Sequence, residues 1–225
     1  MSLSVDYLYG FTLGLIRKNQ SGGLKVTDFQ YFWNDSQSAY FDDLIGRFQN
    51  RSNTKEGINT GLVENETIIS KLTPFMIPIN ILVVNGQAPK PADWVYTLAL
   101  RAGNSNKVQQ INKDQIYSVV NSVIDPPLVA TNTFYFTEYQ GYYKVFPSDT
   151  VSVDLDYIQI PADVVWAFGF DGQGRQVYTP IGSVDPKWSN NSCREITKRM
   201  LKVIGVSFSS QDFENFGQSV QAAGE

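Results

Sequence analysis

Tyr178-Thr179-Pro180-Ile181-Gly182-Ser183-Val184-Asp185-Pro186-Lys187-Trp188, together with the helical pattern after it, decides the fold. Two prolines and a glycine break regular structure across this stretch. Beyond Trp188 the pattern turns helical. Cys193, Ile196, Met200, Leu201 and Ile204 recur at three-to-four spacing, and Gly205 stands where a left-handed stop belongs. Ser192-x-x-Glu195 reads as the capping box of this helix, and Phe213, Phe216 and Val220 mark a last short one. A chain that begins helical, makes strands and ends helical most simply folds its two ends together around an inserted sheet. The expected class is α+β. Residues 1–73 plus 188–225 form a helical bundle from the N- and C-terminal helices. Residues 74–187 form an inserted, mostly antiparallel β-rich domain with one short helix.

Working outward, residues 3–18 read as a first helix with Val5, Leu8, Thr12, Leu15 and Ile16 on one stripe. Gly10 and Gly14 within it are expected to mark close helix packing. Thr27-Asp28-Phe29-Gln30 has the form of a capping box, with Val26 and Tyr31 placed as a hydrophobic staple. Phe29, Trp33, Tyr40, Leu44 and Phe48 then carry a second helix to about residue 49. A polar loop over 50–61 leads to a short helix from Glu64 to Leu72, stopped by Pro74. Strands come next, over 75–86, with a tight turn at Asn85-Gly86. Residues 91–100 fit no single state, and 103–106 is a turn. Lys107–Ile111 reads as one strand, and Lys113–Val123 as a helix with Ile116, Val119, Val120 and Val123 on one face. Phe134–Phe136 and Tyr142–Phe146 form a hairpin about Gly141. Val151, Val153, Leu155 and Tyr157 alternate with polar residues as in a half-buried strand. Val164–Phe168 and Gln176–Tyr178 pair around Asp171-Gly172.

Composition narrows the chemistry. The chain has no histidine, which removes Ser-His-Asp and Cys-His nucleophile pairs. Its single cysteine, Cys193, builds neither a disulfide nor a structural zinc site and falls on an apolar stripe. No metal and no cofactor is expected. Asp154 and Asp156 point the same way from one strand, but an alternating strand needs a solvated face. Gly169–Gly174 is glycine-rich, yet strand residues come after it, so it is a hairpin tip and contact loop rather than a phosphate cradle. A net charge of −4 lacks the basic face of a dedicated nucleic-acid binder, although a neutral or acidic channel wall would let a duplex slide. Lys198, Arg199 and Lys202 complement the negative end of their helix. No run of about 18 apolar residues offers a membrane span. The high aromatic content, 14 Phe, 12 Tyr and 4 Trp, suits interfaces as well as cores.

The order of motifs resembles a family of virion structural proteins, the ring or neck proteins of crAss-like and other Bacteroidetes-infecting phages. The likeness runs over nearly the whole chain. It begins at Ile16-Arg17-Lys18-Asn19-Gln20 and Gly23-Leu24-Lys25-Val26-Thr27-Asp28-Phe29-Gln30, where Tyr31 departs from the family's phenylalanine. It continues through Leu72-Thr73-Pro74-Phe75, Pro91-Ala92-Asp93-Trp94, Asp125-Pro126-Pro127 and Gly141-Tyr142-Tyr143-Lys144-Val145-Phe146-Pro147. It closes with Ser183-Val184-Asp185 through Trp188 and the helix to Ile204-Gly205-Val206. The resemblance implies a fold like that of head-tail adaptors and a role as a ring or adaptor subunit joining capsid to tail around the DNA channel. It implies no catalysis. The implied partners are copies of itself in a closed ring, expected as a dodecamer, together with the portal protein and adjacent connector or tail ring proteins. DNA would pass without tight binding. The location is the virion neck or tail, assembled in the host cytoplasm. Candidate subunit-interface residues are Tyr142, Tyr143, Trp188, Asp171 and Arg175. Two alternatives stand beside this reading. One is another virion component (tail tube, capsid cement or host-adhesion protein). The other is a glycan hydrolase working through Asp154 and Asp156.

Overall fold

The computed structural model describes residues 3–18, 24–53, 60–102, 106–122, 126–129 and 133–205. The turn expected at 103–106, the end of the helix expected at 113–123 and the last helix around Phe213 fall wholly or partly outside them. The fold is mixed α+β with sheets that are mostly antiparallel. Contacts divide the chain into two units, Met1–Lys71 with Pro161–Glu225, and Leu72–Ile160. Among the described residues, no helix is long and apolar enough to cross a membrane.

The first unit carries α1 (Val5–Lys18), α2 (Val26–Asn53), most of α3 (Thr60–Leu72) and α5 (Asn190–Val203). The stripe Val5, Leu8, Thr12, Leu15 and Ile16 is buried, as the period of α1 requires. Ser4 accepts from the Tyr7 amide, and Asp185 accepts from the Val5 amide at 2.7 Å, placing a carboxylate at the positive end of α1. Gly10 does not mark close packing: a Cβ there would meet nothing within 4 Å. Phe29, Trp33, Tyr40 and Leu44 line the buried face of α2, and α5 packs against this helix through Cys193, Ile196, Met200 and Leu201.

Both expected capping boxes are displaced. α2 begins at Val26, before Thr27, and the Gln30 side chain donates to the Trp166 carbonyl instead of turning back. Tyr31 is 70% exposed, so no staple forms with the buried Val26. α5 is capped by Ser189, whose hydroxyl accepts from the Ser192 amide, while Glu195 reaches Tyr40 and Lys71. In each case a distant partner competes for the side chain that the box would use, and the tertiary contact prevails.

The second unit is a pair of four-stranded sheets. One has the order β1-β8-β3-β4, from β1 (Met76–Leu82), β3 (Trp94–Ala102), β4 (Asn106–Lys107) and β8 (Ser152–Gln159). The other has the order β2-β7-β6-β5, from β2 (Gln87–Pro89), β5 (Gln109–Gln110), β6 (Tyr135–Glu138) and β7 (Tyr142–Phe146). Residues 91–100 thus resolve into a turn and the strand β3. The single strand expected at 107–111 is two: the chain leaves the first sheet after Lys107 and joins the second at Gln109, with Val108 buried at the crossing. Ile81, Leu100, Val108, Phe136, Val145 and Leu155 belong to one core shared by the two sheets. The Asn85-Gly86 turn forms with φ of 50° and 72°, and a Cβ on Gly86 would sit 3.3 Å from the Val145 carbonyl. The helix expected over 113–123 is a 3-10 turn at Lys113–Gln115, then α4 (Ile116–Val120). It buries no residue fully and leaves Tyr117 exposed.

Residues 161–187 belong to the first unit, not to the β-rich one. The reason lies on α2. Gln30, Asn34 and Gln37 fall on one face, and their amides reach the carbonyls of Trp166, Val164 and Ala162 at 3.1 Å each. Asn34 also accepts from the Val164 amide at 2.9 Å. Steps of three to four residues along a helix and two along an extended chain both advance about 5–7 Å, so the side-chain ladder stays in register. Val164 and Trp166 are therefore held by the helix, and Val165 between them pairs with Val184 rather than with Gln176–Tyr178. The hairpin strands are β9 (Phe168–Phe170) and β10 (Gln176–Tyr178).

Candidate interaction surfaces

The five residues singled out from sequence separate in the structure. Trp188 is 1% exposed. Its ring packs edge-on against Tyr40 and Phe41, and its indole N–H donates to Gln37 Oε1 at 3.0 Å. Tyr143 is fully buried among the core residues of the second unit, with its hydroxyl 2.7 Å from Thr97 Oγ1, and burial pushes its pKa up to about 12. Neither is a surface anchor. The apolar period of β7 puts Tyr143 inside and the α2 side chains Tyr40, Phe41 and Gln37 enclose Trp188, where composition alone gave equal weight to an interface.

Tyr142, Asp171 and Arg175 remain on the outside. Tyr142 is half-buried and stacks on Tyr139, with centroids 4.9 Å apart. Asp171 Oδ1 accepts from the amides of Gln173 and Arg175, and its other oxygen pairs with the Arg175 guanidinium at 2.8 Å. The hydrogen bonds from Arg175 backbone and side chain hold this carboxyl below the ordinary aspartate range. Gly174, with φ of 76°, supplies the left-handed step of the turn. The tip is thus ordered by its own contacts and electrically self-balanced.

Around this tip lies an apolar surface that the sequence pattern did not single out. Phe170 is 70% exposed and Ile181 87%, with Phe168 and Val184 also open, and Val177 is open on the opposite face of the hairpin from the two phenylalanines. Phe168 and Phe170 lean together edge-on, centroids 5.7 Å apart. The signal was present in the Phe168-Gly169-Phe170 alternation, but a two-stranded ribbon has no second layer to say which side is covered.

The second unit has its own apolar surface, a groove of about 810 Å³ beside β1 lined by Ile79, Leu82, Val84, Pro89 and Tyr142 among others. Lys90 also lines it, tied to Glu138 at 2.5 Å and lying 3.6 Å over the Trp94 ring. A smaller recess of about 220 Å³ is bordered by Arg101, Asp149 and Asp154 among others. Asp154 accepts from Asn80 at 2.7 Å and Asp156 pairs with Arg101, so each carboxylate of the Asp154/Asp156 pair has a partner of its own. Only Asp154 borders the recess.

A charged cluster joins α2, α3 and α5. Tyr40 donates to Glu195 at 2.6 Å, Lys71 to the same carboxylate at 3.1 Å, and Arg199 and Arg47 both reach Asp43. Burial pushes the Glu195 carboxyl up, but the hydrogen bonds from Tyr40 and Lys71 and the charges of Lys71 and Arg199 outweigh it and hold the group below its usual value. The hydrogen bond from Arg199, against some burial, does the same for Asp43. Arg199 is thereby committed within the chain. Cys193 is fully buried on α5, and burial pushes its thiol up to about 12. Among the described residues, no group of three or more potential metal ligands comes together. Compared with protein-family models and with curated proteins, the chain matches none.

Proposed function

We propose that this protein is a virion structural protein, a ring or adaptor subunit of the portal-proximal neck or tail that joins a phage capsid to its tail around the DNA channel. In this reading the N- and C-terminal helices form an adaptor-like bundle, the β-rich unit is its insert, and the phage is of the crAss-like kind that the motif order resembles. The subunits close into a ring, a dodecamer in register with the portal, and contact the portal and neighbouring connector or tail rings. The chain acts by assembly and turns over no substrate.

One observation carries the proposal: the apolar, charge-balanced hairpin around Phe168, Phe170 and Ile181, left open on the first unit. Large apolar side chains held open on one element are a candidate association site, and Phe168 and Phe170 are in contact there. Mixing the purified chain with portal rings and separating the products by size tests it. Co-migration as a stoichiometric ring complex is expected. A chain that ignores portal rings and joins capsid lattice or host glycan instead would replace this role with another.

A further inference from the structure

We infer that the outward face of α5, carrying Arg194, Lys198 and Lys202, meets the phosphate backbone of duplex DNA. This rests on the ring reading above and names the helix that would line the channel.

The chain is acidic overall, with a net charge of −4, but α5 is not. Over Asn190–Val203 it carries Arg194, Lys198, Arg199 and Lys202 against a single carboxylate, Glu195. Its buried stripe is Cys193, Ile196, Met200 and Leu201, which leaves the outer face to Arg194, Lys198 and Lys202, all exposed. They stand four residues apart, close to one helical turn or about 6 Å per step. Like charges at that spacing repel and weaken a helix. The helix dipole accounts for Lys202 alone, because only Lys202 lies in the last turn.

The nearby carboxylates are committed elsewhere. Glu195 is engaged by Tyr40 and Lys71, which brings a further cation beside α5. Asp43 is shared by Arg47 and Arg199. Arg47 and Lys71 thus join the four cations of α5 around two carboxylates. Among the described residues Arg194 and Lys202 pair with no carboxylate.

Three anionic partners make different demands on such a face. An anionic bilayer holds a helix whose apolar side sinks among the headgroups. α5 spends its apolar stripe on α2, and only Val203 stays open. A second copy offers Asp28, Asp35 and Asp42, exposed on α2 at seven-residue steps of about 10.5 Å. A row with that step meets at most two of three cations set about 6 Å apart. A duplex carries one charge per about 1.7 Å of its axis, so every cation of the row finds a phosphate.

Anisotropy of the full chain with a short fluorescein-labelled duplex tests this. Three phosphate contacts give a log–log salt slope of about −2.7, so binding is expected to be about twentyfold tighter at about 50 mM salt than at about 150 mM. Arg194→Gln with Lys198→Gln and Lys202→Gln is expected to flatten that slope and weaken binding at least about tenfold at the lower salt. Lys25→Gln with Lys113→Gln and Lys144→Gln removes the same charge from other elements and is expected to weaken binding by less than about threefold. Circular dichroism checks that both triple variants are folded. Equal losses in the two variants make the effect one of net charge and overturn the assignment. A wild type without salt-dependent binding at about 50 mM overturns it as well. So does an α5 variant that keeps its DNA affinity but loses capture by phosphatidylglycerol vesicles or co-migration with portal rings, which gives the face to lipid or to a protein neighbour. The ring reading is judged separately. If the wild type ignores portal rings while the α5 variant alone loses DNA, the ring falls and the DNA-binding face stands without its channel.

Discussion

Asn34 shows how much one side chain can organise. Its amide satisfies both backbone groups of Val164, and with Gln30 and Gln37 it holds an extended stretch on a helix that would otherwise meet it only through apolar contact. Asn34→Leu is similar in size but leaves the Val164 N–H and C=O without partners. Loss of stability of about 2–4 kcal/mol is expected, read as a lower urea midpoint at unchanged slope. The charged cluster gives a pH prediction. Asp43 and Glu195 are depressed in the folded chain, so their contribution is present above the unfolded carboxylate values and is lost as pH falls through the folded ones. Stability is expected to decline in acid below about pH 4, and Arg199→Gln to shrink the part of that decline due to Asp43, checked by thermal melts from pH 7 to 2.5. At this scale the sequence was readable where a residue answers to its own helix, as Cys193 does on its stripe. It was not readable for Gln30, Asn34 and Gln37, because a polar face on a helix looks the same whether it meets water or a strand.

Elements were legible wherever their period was set locally. The stripe of α1, the Asn85-Gly86 turn and the alternation of β8 came from neighbouring residues alone. Their ends were not. Ser189 and Ser192 are both cap-forming residues, and choosing between them depends on Glu195, which is drawn away by Tyr40 and Lys71. Ser189→Ala is accordingly expected to cost about 1 kcal/mol through the lost bond to the Ser192 amide, measured by denaturant titration. The same limit explains β4 and β5. A strand that changes sheets at Val108 reads as one run, since the period-two pattern continues through the bend. On the exposed face of β8, Asp154→Asn with Asp156→Asn is expected to leave assembly intact. Loss of a glycan-cleaving activity in that double variant would favour the hydrolase alternative.

For the whole molecule, the division into two units places 161–187 with the helices, a boundary drawn by side-chain amides rather than by any break in composition. The proposed ring sets expectations at this scale. With a net charge of −4 and Arg199 engaged by Asp43, affinity for duplex DNA at physiological salt is expected to be weak, micromolar or poorer, as read by anisotropy. A nanomolar complex would contradict the channel-lining role. Assembly itself is the central claim, and electron cryomicroscopy of the chain reconstituted with portal rings tests it most directly. The expected image is a closed ring seated on the portal. A solitary monomer under those conditions, turning over a substrate in a carboxylate-lined cleft, would contradict it.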